Sequence, residues 1–202
     1  MKKITIIDYG LGNLRSVKKG LEFVGSHPKI SSKPCEIINS DGLILPGVGA
    51  FSDAMNNIQS LRSTINDFID MGRPVLGICL GQQLIMTCSE EGGDIEGLNI
   101  IPGSVRKFPC NNLKVPHMGW NSIKIIHDHP LFRGIENGEY LYFVHSYYVK
   151  TDIKHSLASC DYGLDFSASV ISEKGNVIGT QFHPEKSGDA GLKILKNFVD
   201  MC

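Results

Sequence analysis

No apolar run in this sequence approaches the ~18 residues that a membrane-spanning helix needs. Neither charge is in excess: 20 basic residues face 21 acidic ones, for a net charge of −1. A general basic footprint for nucleic acid or anionic membrane is therefore excluded. Tryptophan occurs once, and charged residues make up only 20% of the chain against 42% hydrophobic. Those proportions exclude disordered, collagen-like and coiled-coil chains. Internal repeats, linkers and low-complexity stretches are missing, so residues 1–202 read as a single domain. Its length is enough to bury roughly 70% of the unfolded surface without staples. Six cysteines stand at positions 35, 79, 88, 110, 160 and 202, and none forms Cys-x-x-Cys. Zinc and redox-pair motifs are thus absent, and most of the six are expected to be small core residues. Lys2 and Lys3 precede only Ile4–Ile7 before Asp8. That stretch is a first strand rather than an export signal, so the expected location is cytoplasmic.

The first half of the chain alternates strand and helix patterns. Ile4–Asp8, Gly42–Pro46 and Pro74–Ile78 read as buried strands, with a weaker one at Glu36–Ile38. Leu14, Val17, Leu21 and Val24 recur at helical spacing, with Asn13 as N-cap and Gly25 as stop. Phe51–Met71, broken near Ser60, and Leu80–Ser89 read as further helices. Such alternation predicts an α/β core: a parallel sheet with helices on both faces. From about Gly103 to Gln181 short β-type runs follow one another, with a hairpin turn at Glu173–Asn176, before a last helix over Ala190–Met201. These runs predict an antiparallel meander inserted before that helix.

The string Pro74–Gln83 carries the most chemistry. An apolar strand runs into Gly77-x-Cys79-x-Gly81 and then a helix. This is a nucleophile elbow with sulfur in place of the usual hydroxyl. The two glycines are explained by neighbouring backbone that a Cβ would strike. The turn presents Cys79 at the carboxyl end of its strand, where open α/β sheets bind ligands, and the helix start at Leu80 favours thiolate. A second string, Phe182-His183-Pro184-Glu185, follows a late strand. In an extended segment His183 and Glu185 project to one side, so Glu185 can fix the imidazole tautomer and leave the other nitrogen for Cys79. In a third string, Pro46-Gly47-Val48-Gly49, backbone amides can approach a substrate carbonyl. The amide of Leu80 and one from Val48–Gly49 are candidate oxyanion donors.

Other motifs are incomplete. Gly10-x-Gly12 follows the first strand but lacks the third glycine and acidic partner of a dinucleotide site, and Gly47-x-Gly49 lacks the Walker lysine. His127-x-His129 has no further ligands nearby and reads as a solvated turn. Neither a metal nor a cofactor is expected.

Taken together, Gly77-x-Cys79-x-Gly81-x-Gln83, Phe182-His183-Pro184-Glu185 and Pro46-Gly47-x-Gly49 resemble the triad, or class I, glutamine amidotransferases. Asp8-Tyr9-Gly10, Val115–Asn121 and Tyr142–Tyr147 are similar to the family of glutaminase subunits of imidazole glycerol phosphate synthase. The resemblance covers essentially the whole chain. It implies a flavodoxin-like, mostly parallel sheet flanked by helices. It also implies that Cys79, His183 and Glu185 hydrolyse L-glutamine to glutamate and ammonia through a thioester, with Gln83, Glu91 and Ser146 binding the substrate. The implied partner in a heterodimer is the (β/α)8-barrel cyclase subunit of histidine biosynthesis, facing Asn13, Met118, Trp120 and Lys186. On sequence alone Trp120 could equally be a core residue. Gln82 stands where this family more often has methionine, which leaves open a paralogous amidotransferase serving another synthase, such as one that aminates a surface sugar. A non-catalytic binding subunit is a third reading, disfavoured by the intact Cys79, His183 and Glu185.

Overall fold

Strands that carry apolar residues at consecutive positions must be covered on both faces, and that requirement places the centre of this fold. In the computed structural model, which describes residues 1–109 and 113–202, the chain order begins β1 (Lys3–Ile7), α1 (Leu14–Phe23), β2 (His27–Ser31), α2 (Pro34–Ile38) and β3 (Gly42–Leu45). It continues with α3 (Phe51–Ile58), α4 (Arg62–Asp70), β4 (Val75–Ile78), α5 (Leu80–Leu84), β5 (Met86–Ser89), β6 (Ile95–Glu96) and β7 (Ile101–Lys107). The remainder is β8 (His117–Ser122), β9 (Lys124–Ile125), β10 (Tyr140–His145), β11 (Tyr147–Lys150), β12 (Ser156–Asp161), β13 (Asp165–Ile171), β14 (Val177–Thr180) and α6 (Gly188–Met201).

An eight-stranded sheet runs β2-β1-β3-β4-β14-β13-β12-β9. Its first five strands are parallel, and β13, β12 and β9 extend it antiparallel. Every residue of β3, β4 and β14 is buried. Strand alternation divides their side chains between two cores. Ile44, Leu76 and Ile178 pack with Val17 and Leu21 of α1 and with Leu195 and Phe198 of α6. Leu43, Leu45, Val75 and Val177 pack on the other face against Phe51 and Ile58 of α3 and Phe68 of α4. The expected meander is thus divided: β12 and β13 join the main sheet, β8 pairs with β10, and β7 and β11 join β5 and β6 in a small mixed sheet. No helix among the described residues is long and apolar enough to cross a membrane.

Several local expectations are corrected. Glu36–Ile38 is not a strand but lies in α2, which Pro34 opens at its first turn. The strand that precedes β3 is β2, on the sheet edge, where Pro28 removes no needed donor. The helix after Cys79 stops at Leu84 instead of Ser89, because the amides of Leu98, Ile100 and Ile101 bond the carbonyls of Leu84 and Ile85 and draw the chain into β5. Asn13 occupies the N-cap position of α1, but its side chain makes no capping bond. Of the described cysteines, Cys79 and Cys160 are buried, Cys35 is exposed, and Cys88 and Cys202 are half-buried, so the core expectation holds for two of these five. Cys110 lies outside the described residues.

Candidate active site

Cys79 sits between β4 and α5 with φ +53° and ψ −104°, a strained conformation for a residue with a Cβ. The flanking glycines show why the turn is this tight. A Cβ on Gly77 would lie 2.6 Å from the Gly81 carbonyl oxygen, and one on Gly81 would lie 1.9 Å from the Leu45 carbonyl oxygen. The Cys79 N–H donates to the Thr180 carbonyl at 2.7 Å, so the elbow is pinned to the end of the neighbouring strand β14. That same strand end delivers the second string. His183 Nδ1 donates to Glu185 Oε1 at 2.8 Å, between side chains only 1% and 0% exposed.

The segment after His183 is not extended. Pro184–Lys186 forms a 3-10 turn closed by Lys186 N–H to the His183 carbonyl at 3.0 Å, which proline's fixed φ favours. Glu185 therefore returns to His183 around a turn instead of along one strand face. Burial, the largest influence on His183, disfavours its charge. The adjacent Cys79 and Glu185 outweigh burial and push its pKa up to about 10. His183 Nε2 has no hydrogen-bond partner among the described residues, so it is free to exchange a proton with Cys79.

A cleft of about 330 Å³ opens over the sulfur, lined by Val48, Gly49, Cys79, Leu80, Gln83, Glu91, His145 and Ser146 among others. All seven of the predicted nucleophile, oxyanion and substrate-side residues thus meet in one place. A larger hollow of about 630 Å³, beside Glu90 and Arg106, contains none of them. Glu91 Oε2 accepts the Phe51 N–H at the start of α3 at 3.2 Å. Desolvation raises the Glu91 pKa. A carboxylate half out of water at a cleft wall is suited to hold an ammonium group. The Tyr9 hydroxyl donates to the Pro46 carbonyl, so the segment just after β1 anchors the turn that carries Val48 and Gly49. Such a site can form and break a thioester: a nucleophilic sulfur, a base with a fixed tautomer, and backbone donors nearby.

The chain matches the family described as "Glutamine amidotransferase class-I" over residues 5–202. It is 65% identical over 202 residues, all of both chains, to the imidazole glycerol phosphate synthase subunit HisH of Methanosarcina acetivorans. To the HisH subunit of Halobacterium salinarum it is 51% identical, over 98% of this chain and 93% of that protein. The chain belongs to the class-I glutamine amidotransferases, among the HisH subunits. Like it in fold is the crystal structure of a Thermoplasma acidophilum protein described as a "putative gmp synthase subunit a protein". That match has a TM-score of 0.76 at 24% identity, covering 100% of this chain and 94% of the other. The full-length HisH relatives favour this branch over a paralogue serving another synthase.

In this amidotransferase two of the four predicted partner-facing residues lie on the small β8–β10 sheet, Lys186 lies in the 3-10 turn after His183, and Asn13 precedes α1. Met118 and Trp120 on β8 are 60% and 55% exposed, so the lone tryptophan is not a core residue. Tyr142 on β10 pairs directly with Trp120, their rings edge to face at 6.2 Å, and Lys186 Nζ lies 5.8 Å from the Tyr142 ring centre. Asn13 is half-buried at the start of α1.

Sequence reasoning missed two features at the amidotransferase cleft. His117 Nδ1 and His145 Nε2 are 3.0 Å apart, and His145 Nδ1 lies 2.8 Å from the Tyr147 carbonyl. A carbonyl only accepts, so His145 carries its proton on Nδ1 and accepts from His117 Nδ1–H through Nε2. Burial lowers both pKa values, to about 4 and about 3, which keeps the pair neutral. Gln181 is the second feature. It stands just past the end of β14, two residues before His183, and nothing in the local sequence marks it out. His127 and His129, set aside earlier as a solvated turn, contact the Ile153 carbonyl and the Leu131 amide respectively.

Proposed function

We propose that this HisH-family chain hydrolyses L-glutamine and passes the ammonia to a cyclase subunit. Cys79 attacks the side-chain carboxamide as the thiolate of an ion pair in which His183 Nε2 already holds the thiol proton. The amides of Leu80 and of Val48–Gly49 receive the developing oxyanion. His183 returns the proton to the leaving ammonia, a γ-glutamyl thioester remains, and His183 then activates water to release glutamate. Glu185 holds the imidazole with Nδ1 protonated and steadies the imidazolium. Gln83, Glu91 and Ser146 position the substrate, with Glu91 opposite its ammonium.

Free ammonia is largely protonated at neutral pH and is then no nucleophile, so a useful glutaminase delivers it directly. The acceptor site is proposed to be a (β/α)8 cyclase of histidine biosynthesis, bound as a heterodimer against Asn13, Met118, Trp120 and Lys186. The exposed Trp120–Tyr142 pair with its neighbouring lysine has the aromatic and cationic character of an interface centre. The working compartment is proposed to be the cytoplasm.

One observation carries the chemistry: a buried His183 with Nδ1 bonded to Glu185 and Nε2 open, beside a strained Cys79 at a cleft wall. The test is glutamate release by the wild type and Cys79→Ala, each with the cyclase and its acceptor ligand. Wild-type turnover with none from the variant is expected, and undiminished turnover by the variant would remove the nucleophile assignment. Purification from the native host identifies the partner, and a different synthase in the complex would overturn the cyclase assignment.

A further inference from the structure

We infer that Gln181 is a further positioning residue of this reaction, its one side-chain amide holding both the Cys79 sulfur and the substrate-side Gln83. The inference rests on the reading of Cys79 as nucleophile. Gln181 is fully buried just past the end of β14, beside the elbow, where its own N–H donates to the Ala168 carbonyl at 2.8 Å. Its side-chain Nε2 lies 3.7 Å from Cys79 Sγ, and its Oε1 lies 3.2 Å from Gln83 Nε2. Gln83 Nε2 also donates to the Tyr147 carbonyl at 3.0 Å.

This chain of contacts has only one consistent polarity. The Tyr147 carbonyl can only accept, so the Gln83 group facing it is the NH₂. That NH₂ then donates to Gln181, which must turn its carbonyl to Gln83 and its own NH₂ to the sulfur. A buried carboxamide needs partners at both ends, and here both partners belong to the candidate site. With the thiol proton on His183, charge resides on sulfur, and the fixed N–H of Gln181 is directed at it. Being neutral, the amide does this without opposing the imidazolium. The opposite end of the same group sets where Gln83 stands on the cleft wall, so nucleophile and substrate contact share one rigid link.

The test compares Gln181→Leu, Gln181→Glu and Cys79→Ala with the wild type, all in complex with the cyclase and its acceptor ligand. Leucine removes both contacts, whereas glutamate keeps an oxygen for Gln83 and loses the N–H at sulfur. Q181L is expected to lower kcat about tenfold or more and to raise KM several-fold, on the scale of a lost charge-assisted bond. Q181E is expected to lower kcat similarly with KM within about twofold. Iodoacetamide labelling of Cys79, followed by mass spectrometry, is expected to slow about tenfold in both, while exposed Cys35 reacts at its usual rate. A merely structural role would move melting temperature and leave that labelling ratio alone, which would overturn the inference. So would a folded Q181L with wild-type kcat. Should Q181L fail to fold, the Q181E kcat and labelling decide in the same way. Glutamate release by C79A would overturn the nucleophile and this inference together. A dead C79A beside an unaffected Q181L would overturn the inference alone.

Discussion

Replacing Glu185 with glutamine isolates one function of the carboxylate, since the side chain keeps its shape and loses its charge. The bond it makes to His183 Nδ1 is 2.8 Å long between side chains at most 1% exposed, so water neither screens it nor substitutes for it. A hydrogen bond to a charged group contributes about 1.5–3 kcal/mol against about 1 kcal/mol for a neutral pair. The difference, about 0.5–2 kcal/mol, bears on the His183 imidazolium, and a factor of ten in rate corresponds to about 1.4 kcal/mol. A fall in kcat of about 2- to 30-fold follows if the carboxamide offers its oxygen to Nδ1. If it offers N–H instead, the tautomer reverses, Nε2 carries the proton, and the loss approaches ~10⁴-fold, as in a triad with its acid neutralised. Glu185 does not line the cleft, so KM should hold. The assay is steady-state glutamate release in the assembled complex, with melting curves as a folding check. Turnover within about twofold of wild type would refute the view that this carboxylate tunes the base.

Three further outcomes are expected. The folded pKa of His183 is about 10 against an ordinary 6.5, so its protonation stabilises the native state fully below pH 6.5, and that contribution is lost as pH rises toward 10. Urea unfolding across this range should show a decline in the wild type that His183→Gln reduces, and equal slopes would contradict the linkage. Gly81→Ala should destabilise the fold by about 3 kcal/mol or more, because its Cβ would sit 1.9 Å from the Leu45 carbonyl oxygen; a melting temperature matching wild type would show that the elbow can relax. Trp120→Ala should weaken cyclase binding about 30-fold, the scale of a central aromatic anchor, in a calorimetric titration. A change under threefold would place the interface elsewhere.

The parallel core was legible because β3, β4 and β14 are apolar at nearly every position, a pattern that only burial on both faces accounts for. The elbow was legible for a steric reason: Gly77 and Gly81 are positions where backbone approaches too closely for any Cβ. Less could be read where tertiary pairing overrides local pattern. Met86–Ser89 continues a helical run in sequence, yet it becomes a strand because the chain at Leu98–Ile101 captures the preceding carbonyls. β2 was hidden by its edge position, where few side chains need to be apolar. The nearness of Glu185 to His183 was foreseen by the wrong route, since proline made a turn and not a spacer. Gln181 escaped notice because a buried amide declares its partners only once sulfur and Gln83 are placed in space.

The elbow's amide reaches the carbonyl of Thr180, and the two strands concerned are adjacent although more than a hundred residues separate the sulfur from Gln181 in the chain. During synthesis the first 80 residues can therefore emerge with the thiol present but no base, no amide link and no strand to hold the turn. Insertion of β14 between β4 and β13 is what brings His183 and Gln181 beside the sulfur. On the proposed mechanism, a fragment of this protein that ends before β14 would not turn over glutamine.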